Sequence, residues 1–235
     1  VHVQLILLSG GAAEGLVSGL RHEFQISTGC VIAGTFGAVG AMRDKLLAGA
    51  PADLIVLTAP LIAELARSGH VRSGSAVDIG LVHTGLAVRA GDPAPPVGDA
   101  RALRSALLAA EVIHFPDPKL ATAGIHFAKV LDGLGLADEV RTRLRPAPNG
   151  AAAMRALAAA SEPRAIGCTQ VTEILNTPGL AFAGPLPEPF ELVSLYTAAV
   201  CTRAQLPGEA ARLAVLLASD AVRPMREQAG FGRLA

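Results

Sequence analysis

What most constrains this chain is a repeated pattern. A short apolar run gives way to a few small residues, and a stretch with apolar residues at helical spacing follows. Val3–Leu8 is such a run, ending at Ser9-Gly10-Gly11. Leu16, Leu20 and Phe24 then recur at the spacing of one helix face, so a helix is expected over about 12–28, stopped by Gly29. Cys30–Ala33 reads as a second strand, broken at Gly34-Thr35-Phe36-Gly37. Val39, Met42, Leu46 and Leu47 continue as a helix that Gly49-Ala50-Pro51 closes. Asp53–Leu57 is a third buried strand, with a helix over about 60–68. Strands that alternate with helices predict an α/β fold with parallel pairing, because parallel strands need a long crossover between them.

The alternation continues. A strand pair is expected at Ala76–Gly80 and Val82–Arg89, then a loop at Gly91-Asp92-Pro93-Ala94-Pro95-Pro96. A helix over about 99–109 precedes a strand at Val112–Phe115. Ile125, Ala128, Leu131 and Leu134 mark another helix, and Ala137–Leu144 reads as a short one. Asn149-Gly150 opens an Ala-rich helix to about Ala160. Ala165–Cys168 is a short strand followed by a helix around 170–175. Pro178–Pro189 reads as loop with a brief strand, Leu192–Cys201 as a strand, and Gly208–Ala218 and Ala221–Gln228 as closing helices.

Composition narrows the function classes. The 235 residues carry 20 Lys+Arg against 20 Asp+Glu, for zero net charge, with 51% apolar and only 3% aromatic residues. Disorder needs the opposite balance. A nucleic-acid partner calls for a basic excess and stacking aromatics, and this chain has neither. No run approaches the roughly 18 apolar residues of a spanning helix, so membrane insertion is not expected. The beginning, Val1-His2-Val3-Gln4, has no basic segment or small-residue cleavage site. Two locations follow from that: cytoplasmic if Val1 follows the initiator Met, periplasmic if a leader was removed. Cys30, Cys168 and Cys201 form no CxxC pair, and Cys30 and Cys201 read as buried packing residues. No metal spacing, triad, phosphate-binding loop or complete GxGxxG fingerprint is present, so no cofactor is expected.

The small-residue turns are the chemical lead. Ser9-Gly10-Gly11-Ala12, Thr35-Phe36-Gly37-Ala38-Val39, Thr122-Ala123-Gly124 and Asn149-Gly150-Ala151 each stand where a helix begins. Free N–H groups and the helix dipole favour an anion there, and small residues let it approach the backbone. Such turns also occur simply because strand-to-helix connections need small residues.

Three segments carry a family resemblance. Leu46-Leu47-Ala48-Gly49-Ala50-Pro51-Ala52-Asp53-Leu54 is the most specific. Asp117-Pro118 followed by Ala123-Gly124-Ile125-His126-Phe127-Ala128-Lys129-Val130-Leu131 and Leu134-Gly135 is the second, and Gly230-Phe231 the third. Through them the chain resembles the type II solute-binding proteins of ABC transporters, specifically the molybdate-binding group, nearly end to end. The resemblance implies two α/β lobes, each a mostly parallel sheet flanked by helices, with a ligand cleft between them. Residues 1–82 plus 195–235 would form one lobe and 83–194 the other, with hinge strands near 82–89 and 192–201. It also implies a small anionic ligand and, if the chain serves transport, an ABC permease as partner.

The family's hydroxyl ligands at the first two turns fall on Ala12 and on Ala38-Val39-Gly40, which have none; Ser9 and Thr35 lie a few residues earlier. A backbone N–H position falls on Ala123, another on Gly150, and the family's tyrosine on Cys168 or Thr169. Two lost charge-assisted hydrogen bonds, at roughly 1.5–3 kcal/mol each, weaken oxyanion binding by about a hundredfold or more. The ligand is therefore expected to be an organic carboxylate rather than molybdate.

Several side chains could do chemistry there. Cys168 is either a thiol in the cleft or a packing residue. His126, early in the helix after Ala123-Gly124, could donate to an anion or move a proton. His83-Thr84 lies on the expected hinge strand, Thr122 is expected to cap its helix, and Gln170 is either a polar contact or a surface residue. Arg89, Lys129 and Arg155 are the nearest cations, with Arg155 expected on the surface. Two functions remain open. One is an anion-binding protein. The other is an isomerase on the same scaffold, shifting an allylic proton in a polycarboxylate such as trans-aconitate with His126 or Cys168 as acid/base group.

Overall fold

A computed structural model describes residues 3–234. Val1 and His2, at the front of the first apolar run, and Ala235 lie outside the described residues. In chain order the elements begin β1 (Val3–Gly10), a 3-10 turn at Gly11–Ala13, α1 (Glu14–Thr28), β2 (Cys30–Gly37), α2 (Val39–Leu47), β3 (Leu54–Thr58) and α3 (Ala59–Arg67). Then come β4 (Val77–Arg89), α4 (Ala100–Ala109), β5 (Ile113–Pro116), α5 (Thr122–Gly133), α6 (Ala137–Val140), β6 (Leu144–Ala147), α7 (Gly150–Ala158), β7 (Ile166–Gln170) and α8 (Val171–Leu175). The chain closes with β8 (Leu180–Pro185), β9 (Val193–Val200), α9 (Pro207–Ala218) and α10 (Arg223–Gln228).

Its contacts divide the chain into two compact units. The first runs up to Val82 and resumes at Ser194; the second is His83–Val193. The fold is thus the two-lobed α/β class expected. In the first unit β1 pairs parallel with β2 and β3, and β3 pairs antiparallel with β9. Leu5, Leu7, Leu54, Ile55, Val56 and Leu57 are all fully buried, as strands covered on both faces require. Asp53 explains part of the Ala-Gly-Ala-Pro-Ala-Asp-Leu segment. Its carboxylate is buried and accepts from the backbone N–H of Ile6 at 2.8 Å, Gln205 at 2.7 Å and Leu206 at 2.9 Å. One side chain therefore ties β1 to the start of α9.

In the second unit β5 pairs parallel with β6 and β7, while β4 pairs antiparallel with β7 and β8. Alternate strand residues feed two different cores. Leu86, Val88, Ile166 and Cys168 pack with Phe127, Val130 and Leu131 of α5. Ala87 packs with Ala153, Met154 and Leu157 of α7. Helices α5 and α7 therefore lie on opposite faces of this sheet.

Four expectations are corrected. Val77–Arg89 is one strand rather than a pair, because the backbone of Gly80 continues extended between its apolar neighbours and a side chain there would meet the Gly232 carbonyl and Phe231. Strand β2 does not break at Gly34 but runs to Gly37, since Thr35, Phe36 and Gly37 keep pairing with Leu8, Ser9 and Gly10. The helix expected over Ala137–Leu144 ends early, in a 3-10 turn at Arg141–Arg143, and Leu144–Ala147 forms β6 on the edge beside β5. Thr122 does not cap α5: Ala121 holds the cap position and no side chain bonds there.

Candidate functional site

Each unit gathers its small-residue turns at the carboxyl ends of its parallel strands. In the first unit the first two turns meet. A β-carbon on Gly10 would stand 2.7 Å from Val39 Cγ1 and 3.0 Å from Tyr196 Cε1, so only glycine fits between the start of α2 and the one tyrosine. Gly11 and Ala12 form the 3-10 turn, with Ala12 buried, and Ala38 is the uncapped N-cap of α2. The nearby hydroxyls belong to strand residues. Ser9 Oγ is fully buried and donates to the Gly10 carbonyl at 2.9 Å. Thr35 is exposed on the edge strand, and Phe36 folds back over Gly34. Thr35, Phe36 and Gly37 are therefore strand residues rather than turn residues.

The second unit holds two helix starts. At α5, a β-carbon on Gly124 would lie 2.3 Å from the carbonyl oxygens of both Pro116 and Asp117. That closeness docks the helix start onto the end of β5. The Ile125 N–H closes the first helical bond, onto Ala121 at 2.9 Å, so the N–H groups of Thr122, Ala123 and Gly124 stand ahead of the ladder. No acidic residue lies in this first turn. At α7, Asn149 caps the helix by accepting from the Ala152 N–H at 2.9 Å. A β-carbon on Gly150 would lie 1.8 Å from Glu173 Oε2 and 2.3 Å from Thr169 Oγ1. The Glu173 carboxylate is buried and accepts from the Thr169 hydroxyl at 2.5 Å. The Glu173 side chain thus already fills the turn at the start of α7.

Strand β7 sorts its residues between these two helix starts. Gly167 faces Met154 and Leu157, so Thr169, two residues on, faces the α7 side. Ile166 and Cys168 face α5, and so does Gln170. Cys168 is fully buried among apolar side chains, and burial alone pushes its thiol well above the usual range. It is a packing residue of this core, the second of its two readings, and its acid/base reading is left without a geometric support. Gln170 is buried, not a surface residue. Its register partner in β4 is Thr84, also buried. No protein group pairs with either amide atom of Gln170 or with the Thr84 hydroxyl.

His126 is half-buried, and its Nε2 donates to the Phe190 carbonyl at 2.8 Å. A carbonyl only accepts, so Nε2 carries a proton. His83 Nδ1 stands 3.5 Å from Glu191 Oε1, with both side chains largely exposed. Arg155 and Lys129 are exposed on their helices. Arg89 is engaged on Asp92 and on the carbonyls of Ala160 and Glu162. Among the described residues no group of three or more His, Cys, Asp or Glu could hold a metal, and no helix is long and apolar enough to cross a membrane.

These features coincide with a known family. Residues 5–232 match the model for bacterial extracellular solute-binding proteins. The chain belongs to that family. Within it, the structure resembles the molybdate-binding type II proteins. The periplasmic molybdate-binding protein of Azotobacter vinelandii superposes with a TM-score of 0.81 at 17% identity, covering 98% of this chain and all of that one. The sulfate-binding protein SubI of Mycobacterium tuberculosis H37Rv superposes at 0.75 with 20% identity, covering 98% of this chain and 86% of its own. At these identities the likeness is one of fold. In sequence, the chain is 26% identical over 238 residues to a Pseudomonas protein named aconitate isomerase, covering 97% of this chain and 87% of the relative.

Sequence reasoning missed Glu173 and Tyr196 and undervalued Thr84 and Gln170. One signal was available. The run Thr169-Gln170-Val171-Thr172-Glu173 puts four polar residues directly after a buried apolar strand.

Proposed function

We propose that this solute-binding protein takes a small organic carboxylate, rather than molybdate, and delivers it to the permease of an ABC transporter. The observation that carries this reading is the contrast within the second unit. The start of α5 has no acidic residue in its first turn, and the buried, uncharged Gln170 and Thr84 lie on the sheet face that α5 covers, while the Glu173 side chain fills the turn at α7. A tetrahedral dianion needs several donors around it. The positions at which molybdate-binding relatives supply hydroxyls are here Ala12, Ala38 and Val39, and Ser9 spends its hydroxyl on Gly10. Within the first unit, Gly10, Gly11, Ala12, Ala38 and Val39 would offer backbone contacts to an anion; within the second, Thr122, Ala123, Gly124 and His126 would supply ligand contacts. Thr169 and Gly150, committed to Glu173, would contribute little.

A thermal-shift screen with molybdate, tungstate, sulfate and a series of di- and tricarboxylates tests this. A carboxylate should raise the melting temperature most, in proportion to the logarithm of its concentration over Kd. A shift with molybdate and tungstate alone would overturn it.

A second reading is favoured by the 26% identity to a protein named aconitate isomerase. On this reading the chain shifts an allylic proton between carbons of a polycarboxylate, with backbone N–H groups bearing the developing charge. Cys168 drops out as acid/base group. His126 remains, with the Phe190 carbonyl fixing its neutral tautomer and Nδ1 as the proton acceptor. Adding trans-aconitate and following its ultraviolet absorbance tests this. An unchanged spectrum at high protein concentration would remove the isomerase.

A further inference from the structure

We propose that the ligand of the second unit carries a hydroxyl next to its carboxylate, and that Gln170 and Thr84 read that hydroxyl. This rests on the carboxylate reading above and specifies the ligand's class: a hydroxycarboxylate.

Gln170 ends β7 and is 3% exposed; Thr84, opposite it in β4, is 1% exposed. The two side chains are neighbours on one face of the sheet, yet neither satisfies the other, and no other protein group does. That face is the one α5 covers, because Ile166 and Cys168 pack there against Phe127, Val130 and Leu131. Strand β7 lies beside β5, with Ile113 opposite Ile166 and His114 opposite Gly167. Extending that register sets Gln170 level with Asp117, whose carbonyl Gly124 of α5 touches. The unpartnered amide therefore lies beyond Cys168 on the sheet face that α5 covers, level with the chain that leaves β5, next to apolar Leu86 and Cys168.

The chemistry of an amide then constrains the ligand. Whichever way it is turned, a primary amide presents two N–H donors and one carbonyl acceptor. Leaving these buried and unpaired costs about 1–3 kcal/mol, so a bound group that pairs with them recovers that cost. A carboxylate, sulfate or molybdate has only acceptors. It would satisfy the amide N–H groups, the Thr84 hydroxyl and the N–H groups of Ala123 and Gly124. It would leave the Gln170 carbonyl without a donor. A hydroxyl on the carbon beside the carboxylate supplies the missing donor. The carboxylate then takes the start of α5, and the hydroxyl donates to Gln170 and accepts from Thr84.

The test pairs ligands that differ by one hydroxyl: citrate with tricarballylate, and malate with succinate. Binding to the intact chain is followed by calorimetry. In whichever pair binds, the hydroxylated member should bind at least about tenfold more tightly. In Gln170→Met, which keeps the volume and removes both hydrogen-bonding functions, that preference should shrink to within about twofold. Thr84→Val should reduce it less, and melting curves verify that both variants fold. Equal affinity for both members of a pair in the native chain would overturn the proposal and leave the carboxylate reading standing. So would a preference unchanged in both variants. Binding of molybdate or sulfate with no carboxylate binding would overturn the carboxylate reading and this proposal with it.

Discussion

Helices α5 and α7 begin at the same edge of the second unit's sheet, on opposite faces, and each begins with glycine and alanine beside a backbone turn. Yet the Glu173 side chain fills the turn at α7, while α5 has no acidic residue in its first turn and covers a sheet face that buries uncharged, unpartnered groups. The difference teaches that two similar helix starts are set apart by what the rest of the fold brings to them.

The comparison is broken most sharply at the two glycines. Gly124→Ala should be the most damaging, because its β-carbon would meet two backbone carbonyls that cannot move. A loss of about 3 kcal/mol or more in urea unfolding is expected. Gly150→Ala should cost about 2 kcal/mol, since the carboxylate of Glu173 can swing aside at the expense of its bond from Thr169. If Gly150→Ala proved the worse of the two, the rigid neighbour and the movable one would have been assigned the wrong way round.

Gln170→Met sharpens the contrast from the other side. Replacing an unpaired buried amide by an apolar side chain of similar volume should stabilise the ligand-free chain by about 1 kcal/mol while weakening ligand binding. A destabilised ligand-free variant would mean that the amide is satisfied within the fold.

The smallest effect concerns His114, on the α7 face of β5. Burial lowers its pKa below the ordinary 6.5, and Arg145 adds to this, against an opposing pull from Glu162. Its Nε2 has no protein partner. The unfolded chain binds this proton more readily than the folded one. The contribution is therefore complete above pH 6.5 and is lost as pH falls from 6.5 towards the folded value. His114→Gln should flatten the urea midpoint across that window, leaving its value at pH 8 little changed. A midpoint that falls equally in both proteins would remove His114 as the cause.

Much of the fold was legible locally. Val3–Leu8, Asp53–Leu57 and Ala165–Cys168 each show an apolar run with small residues at its end, and each is a strand near those bounds. The misread elements share a cause. Gly80 and Gly34 look like breaks to local reasoning, but both are held extended by neighbouring strands or by the segment packed on them. Leu144–Ala147 has little strand character of its own and is a strand because β5 offers it an open edge. At the site, Ala123, Gly124 and Gly150 were visible as small residues at helix starts. Cys168 and Gln170 were not separable, because a shift of two residues along one strand moves a side chain from the core to its rim.

The sequence by itself determined the alternation of strands and helices, the α/β class, and the glycine-rich turns at which helices begin. These follow from periodicity and from backbone sterics, which act between near neighbours. The tertiary structure alone decided which turn is already answered by Glu173, that Cys168 is core, and that Thr84 and Gln170 are buried together without partners. Burial and hydrogen-bond satisfaction are settled between residues far apart in the chain, and no local pattern encodes them.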